Sequence, residues 1–95
     1  MNVVRWTKPA LADIEAIFAF VANNDIAAAR RLVLRLRTRA ESLAALPQQG
    51  RASRIAGLRE LTVVGTEYLV LYRTAGAAVE ILRVLHARRR WPPLP

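Results

Sequence analysis

The apolar positions of this chain change their period along its length. Asn2 to Trp6 is a short apolar-flanked stretch ahead of Thr7-Lys8-Pro9, and it suits an opening strand. Pro9 disfavours helix at Lys8 and fits the first turn of a following helix, with Thr7 or Lys8 near the cap. Ala10, Leu11, Ile14, Ile17, Phe18 and Val21 then recur at helical spacing. Asp13 and Glu15 lie in the early turns, where the helix dipole favours anions. Asn23-Asn24-Asp25 breaks the pattern and supplies N-cap candidates for a second helix. There Ala29, Leu32, Val33, Leu36, Ala40 and Leu43 form one apolar stripe, and arginines at 30, 31, 35, 37 and 39 occupy the rest of the circumference. Leu34 projects among the arginines, nearly opposite the stripe. The short link between the two patterns predicts an antiparallel helical hairpin ending at Leu46-Pro47.

Beyond Pro47 the pattern is that of strands. Pro47 to Arg51 reads as a turn and Ala52 to Gly57 as a loop. Leu58 to Val64, Tyr68 to Thr74 and Val79 to His86 are rich in Val, Ile, Leu and Tyr. Gly65-Thr66-Glu67 and Ala75-Gly76-Ala77 join them at hairpin length. The predicted order is β-α-α-β-β-β, an antiparallel sheet with an N-terminal helical hairpin on one face, in the α+β class. All 95 residues form one expected domain.

Charge adds what periodicity does not. Lys and Arg number 15 against 7 acids, a net of +8, and every cation except Lys8 is arginine. Such a surface attracts polyanions or an acidic protein. There is no cysteine, which excludes disulfides and fits a reducing cytoplasm. No apolar run reaches the roughly 18 residues that a membrane span needs. The start MNVVRWTKP has no leader-like apolar run, so no secretory signal is expected. The acids show no metal-ligand spacing, and no glycine-rich phosphate loop is present, so no metal or cofactor is expected.

The chemistry-bearing residues gather in the second half. Arg59, Arg73 and Arg83 each interrupt one strand, Arg51 and Arg54 precede them, and Arg88, Arg89 and Arg90 follow. A sheet covered on one face leaves the other open. There these side chains would make a cationic surface, or remain solvated beside Glu60, Glu67 and Glu80. Hairpin parity decides which arginine faces which side. His86, the only histidine, closes the last strand. Tyr68 and Tyr72 alternate onto one strand face as packing residues whose hydroxyls reach the rim. Trp6 and Trp91 are expected to pack where the first strand meets the tail.

Several stretches, in order, resemble the ParE/RelE toxin superfamily. They are Asp13 to Ala22 with Ala28-Ala29, Leu46-Pro47 with Gly50-Arg51, Leu58 to Leu61, Tyr68 to Arg73 and Ile81 to His86. The resemblance implies the same fold, and a cytoplasmic toxin paired with a small antitoxin that silences it. ParE-like members poison DNA gyrase by binding. RelE-like members cut messenger RNA on the ribosome with a basic cluster that activates the ribose hydroxyl and steadies the phosphorane. Placed by the hairpin, the two strand lysines of the RelE-like pattern fall near Glu60 and Thr62, and an arginine falls near Leu69. The arginine after the last strand is matched by Arg88, while the tyrosine beyond it has no counterpart. The chain therefore resembles ParE more closely.

That resemblance implies DNA gyrase as target and a ParD-like, acidic antitoxin in a hetero-oligomer. The target-binding candidates are Arg51, Arg59, Arg73, Arg83, His86 and Arg88; the antitoxin-binding candidates are Leu34, Arg73 and Arg83. In a ribonuclease reading, His86 and Arg88 are the catalytic candidates. A third reading is a non-toxic basic module that binds nucleic acid by charge alone.

Overall fold

Two capping side chains set where the helices begin. In the computed structural model, which describes residues 2–88, Thr7 caps α1 (Lys8–Ala22) by accepting from the Ala10 amide, with proline in the first turn. Asp25 caps α2 (Ile26–Glu41) by accepting from the Ala28 amide at 3.0 Å. Both caps satisfy amides that a helix start leaves unpaired. A single 3-10 turn, Ser42–Ala44, follows α2.

Five strands make one sheet in the order β1-β5-β4-β3-β2. They are β1 (Val3–Trp6), β2 (Arg51–Ala52), β3 (Arg59–Thr62), β4 (Tyr68–Ala75) and β5 (Ala78–His86). The expected helical hairpin and the three later strands are present. The sheet differs from the expected antiparallel one in two ways. The opening strand pairs parallel with β5, Val3 opposite Ala78 and Trp6 opposite Ile81, so the sheet is mixed. The helical hairpin returns the chain across the sheet between β1 and the later strands, and that crossover permits parallel pairing. Within the expected 51–57 loop, Arg51 and Ala52 pair with Glu60 and Arg59 as a two-residue edge strand.

The helices cover one face of the sheet, with α1 against α2 and β5 and α2 reaching β4. Leu36, Leu43, Val63, Val70, Tyr72, Val79 and Ile81 are fully buried between the layers. Each aliphatic side chain buried here contributes about 1.5–3 kcal/mol. Leu69 and Leu71 are also buried, but alternation turns them to the opposite face from Val70 and Tyr72. A β-bulge shifts the register: Leu71 faces Arg83 while Tyr72 faces Ile81, leaving Leu82 extra on β5.

Candidate functional site

The bulge decides which arginines share a face. Directly opposed residues lie on the same side of a sheet. Arg73 opposes Glu80 and Arg83 opposes Leu71, so these arginines belong to the face away from the core. Arg59 opposes Tyr72 and belongs to the core side. The three strand arginines therefore do not converge.

Each is also engaged. Arg59 donates from Nη1 to the Gly50 carbonyl at 2.7 Å and holds the turn before β2. Arg73 pairs with Glu80 at 2.6 Å. Arg83 grips Asp13 of α1 with two bonds, Nε to Oδ2 at 2.7 Å and Nη2 to Oδ1 at 2.9 Å. The same carboxylate accepts the Val84 amide at 2.9 Å, where β5 runs beyond the end of β1. The hydrogen bond to Asp13 raises the Arg83 pKa above its ordinary value; burial opposes the shift and the carboxylate's charge reinforces it. Arg83 stays charged wherever the protein is folded. Asp13, 70 residues away in sequence, carried no local signal of this clamp beyond its place in an early helical turn.

Arg51 lies on the β2 edge with 76% of its side chain exposed, and it meets Glu60 at 3.3 Å. Arg88 is exposed just past β5. His86 sits between it and Glu67. The Arg88 amide donates to Nδ1 at 3.2 Å, and Nε2 lies 3.1 Å from Glu67 Oε2. A neutral imidazole that accepts at Nδ1 carries its proton on Nε2, so His86 donates to Glu67. Tyr68 meets the imidazole edge-on at 5.5 Å. His86, Glu67 and Arg88 form one cluster at the sheet end. Arg89, Arg90 and Trp91 lie outside the described residues.

Trp6 has its own partners: its indole N–H donates to Glu41 at 2.9 Å and Arg37 stacks over its ring at 5.8 Å. Tyr72 is not a rim residue. Its buried hydroxyl donates to the Pro47 carbonyl and accepts the Gly50 amide, both at 2.8 Å.

Leu34 is 67% exposed on α2 and lines an open groove of about 530 Å³ with Arg31, Arg35, Arg39, Val63 and Val64. Neither Arg73 nor Arg83 lines this groove. The antitoxin candidates thus fall on separate regions. Among the described residues, no three His, Cys, Asp or Glu side chains gather as a metal site, and no helix is long and apolar enough to cross a membrane.

A small mixed sheet under a helical hairpin has known counterparts. Residues 4–91 match the family described as the ParE toxin of type II toxin-antitoxin system, parDE. Toxin RelE2 of Caulobacter vibrioides is 45% identical over 89 residues, covering 94% of this chain and 99% of that one. The Y4kP protein of Sinorhizobium fredii is 40% identical over 89 residues, covering 94% and 92%. A chain from the chromosomal ParDE toxin-antitoxin system of P. aeruginosa superposes with a TM-score of 0.85 at 27% identity, covering 93% of this chain and 98% of that one. The chain belongs to the ParE toxin family of type II toxin-antitoxin systems.

Proposed function

We propose that this toxin arrests growth by binding DNA gyrase, and that a cognate acidic, ParD-like antitoxin holds it inactive. The observation that carries this reading is what occupies the cleavage positions of the RelE-like pattern. Glu60, near which one lysine of that pattern falls, is paired to Arg51. The other falls near Thr62, and Leu69, near which the arginine falls, is only 6% exposed. An acid, a neutral hydroxyl and a buried leucine supply no stabilisation for a phosphorane. Binding remains as the mode of action, through exposed cations such as Arg51, Arg73 and Arg88. The +8 charge also suits a polyanion-bound target and an acidic inhibitor.

A second reading has its own observation. His86, oriented by Glu67 and the Arg88 amide, has the form of an acid–base pair next to a cation. A ribonuclease built on it would cut messages with His86 and Arg88 as its catalytic residues. Expression of the chain alone separates the two readings. Gyrase poisoning predicts growth arrest with a DNA-damage response, intact transcripts and a His86→Ala variant that cuts no more than the parent. Cut transcripts that His86→Ala abolishes would overturn the gyrase reading.

A further inference from the structure

Two hydrogen bonds hold the chain as it leaves β5. The Ala87 amide donates to the Glu67 carbonyl at 2.7 Å, and the Arg88 amide donates to His86 Nδ1 at 3.2 Å. The first acceptor is a backbone carbonyl, which does not titrate. The second is a ring nitrogen, which accepts only while it carries no proton. Histidine is the side chain whose charge ordinarily changes between about pH 5 and 8. The course of the chain beyond the sheet therefore depends on one proton.

The surroundings of the ring decide what that proton does. Nε2 lies 3.1 Å from Glu67 Oε2. It bears a hydrogen in the neutral tautomer that accepts at Nδ1 and also in the imidazolium, so the bond to Glu67 persists in both states. Tyr68 meets the ring edge-on at 5.5 Å. Held by these two residues, the ring keeps its orientation when Nδ1 gains a proton. Two N–H groups then face each other, and a positive ring stands beside the exposed Arg88. The Arg88 amide is the partner that must leave. His86 keeps 24% of its side chain exposed, so solvent protons reach it. Charged groups of the helices that reach the sheet have other partners. Asp13 of α1 is held by Arg83 and the Val84 amide. Arg35 and Arg39 of α2 donate to the Val64 and Thr62 carbonyls at 2.6 and 3.5 Å.

We infer that His86 is a proton-operated latch on the Arg88 end of β5. The neutral ring fixes the Arg88 amide at the sheet end, and the imidazolium releases it while remaining on Glu67. The latch closes as pH rises and opens as pH falls. Arg88 is one of the exposed cations assigned to the target, so the latch makes target binding depend on pH. That consequence rests on the gyrase reading; the latch itself does not.

The test follows the purified toxin by NMR from about pH 8 to about pH 5. Ring nitrogen shifts report the tautomer and charge of His86, and backbone amide shifts report the two bonds. The expected result is a proton on Nε2 alone at high pH. As pH falls, Nδ1 gains a proton and the Arg88 amide loses its hydrogen-bonded shift with the same midpoint, while Ala87 keeps its own. His86→Gln removes the titration from Arg88. A ring protonated on Nδ1 at high pH overturns the proposal, and so does an Arg88 amide that stays flat through the ring titration. Titration of Arg88 that persists in His86→Gln overturns it as well. Movement of the Val70 and Tyr72 amides with the same midpoint would mean that the whole fold responds, which also refutes the latch. Gyrase inhibition measured over the same range keeps the two readings apart. A working latch in a toxin that inhibits gyrase at no pH refutes the gyrase reading alone. Inhibition by a toxin whose Arg88 amide stays flat refutes the latch alone. With both in place, the amount of toxin needed, relative to His86→Gln, rises as pH falls; a constant ratio refutes the coupling to the target.

Discussion

The Tyr72 hydroxyl ties the end of the helical layer to the sheet. It donates to the part-buried Pro47 carbonyl and accepts from the buried Gly50 amide, and so satisfies two backbone groups at once. Tyr72→Phe leaves both unpaired, and we expect a loss of about 1–3 kcal/mol in chemical denaturation. Gly50 has no room for a side chain: a Cβ would lie 2.7 Å from the Tyr72 ring and 2.8 Å from the Glu60 carbonyl. Gly50→Ala should therefore destabilise by roughly 1–3 kcal/mol, seen as a lower denaturation midpoint with an unchanged slope. Arg83 belongs to the same category of structural tie. Asp13→Asn weakens its bidentate pair and is expected to cost about 1–3 kcal/mol. Arg83→Glu would set a second carboxylate against Asp13. Loss of toxicity in that variant would report folding, so Arg88, exposed past β5, is the cleaner probe of the target surface.

At the scale of elements, much was legible. Proline at 9 with Thr7 or Lys8 before it, and the Asn23-Asn24-Asp25 break before an apolar stripe, marked the region of both helix starts, and Thr7 and Asp25 prove to be the caps. We expect Thr7→Ala to cost about 1 kcal/mol by removing the cap. Its hydroxyl also donates to the Ile81 carbonyl at 2.8 Å, so the loss should lie above that of an isolated cap. The glycine-containing hairpins were legible for the same local reason, with Gly65 and Gly76 both at positive φ. What escaped was non-local. Parallel pairing of β1 with β5 depends on where the hairpin returns the chain. The bulge opposite Leu71 and Tyr72 inserts Leu82, and no residue type announces it. That insertion, with the Arg59–Tyr72 register, scatters arginines that alternation alone left free to converge. The Arg35 and Arg39 contacts with the β3 edge are likewise tertiary, spanning 29 and 23 residues.

For the whole molecule the governing quantity is the +8 charge. The fold ties Arg59 to a turn and Arg83 to α1, and leaves others exposed around the sheet end and along α2. Family membership could be read from ordered stretches because they record the core and the turns. The target could not, because it depends on exposed side chains that packing does not constrain. At this scale Arg88→Glu should lower target affinity on the order of tenfold, about 1.4 kcal/mol, with unfolding unchanged. Binding of the toxin to its target should also weaken as salt rises, since exposed charges are screened beyond about 10 Å at 0.1 M. The most direct measurement adds the purified toxin to DNA gyrase and plasmid and follows supercoiling and cleaved DNA. Inhibition that rises with toxin, falls with Arg88→Glu and survives in the absence of ribosomes and RNA is the predicted result. Full gyrase activity in the presence of a folded toxin that arrests growth would contradict the account.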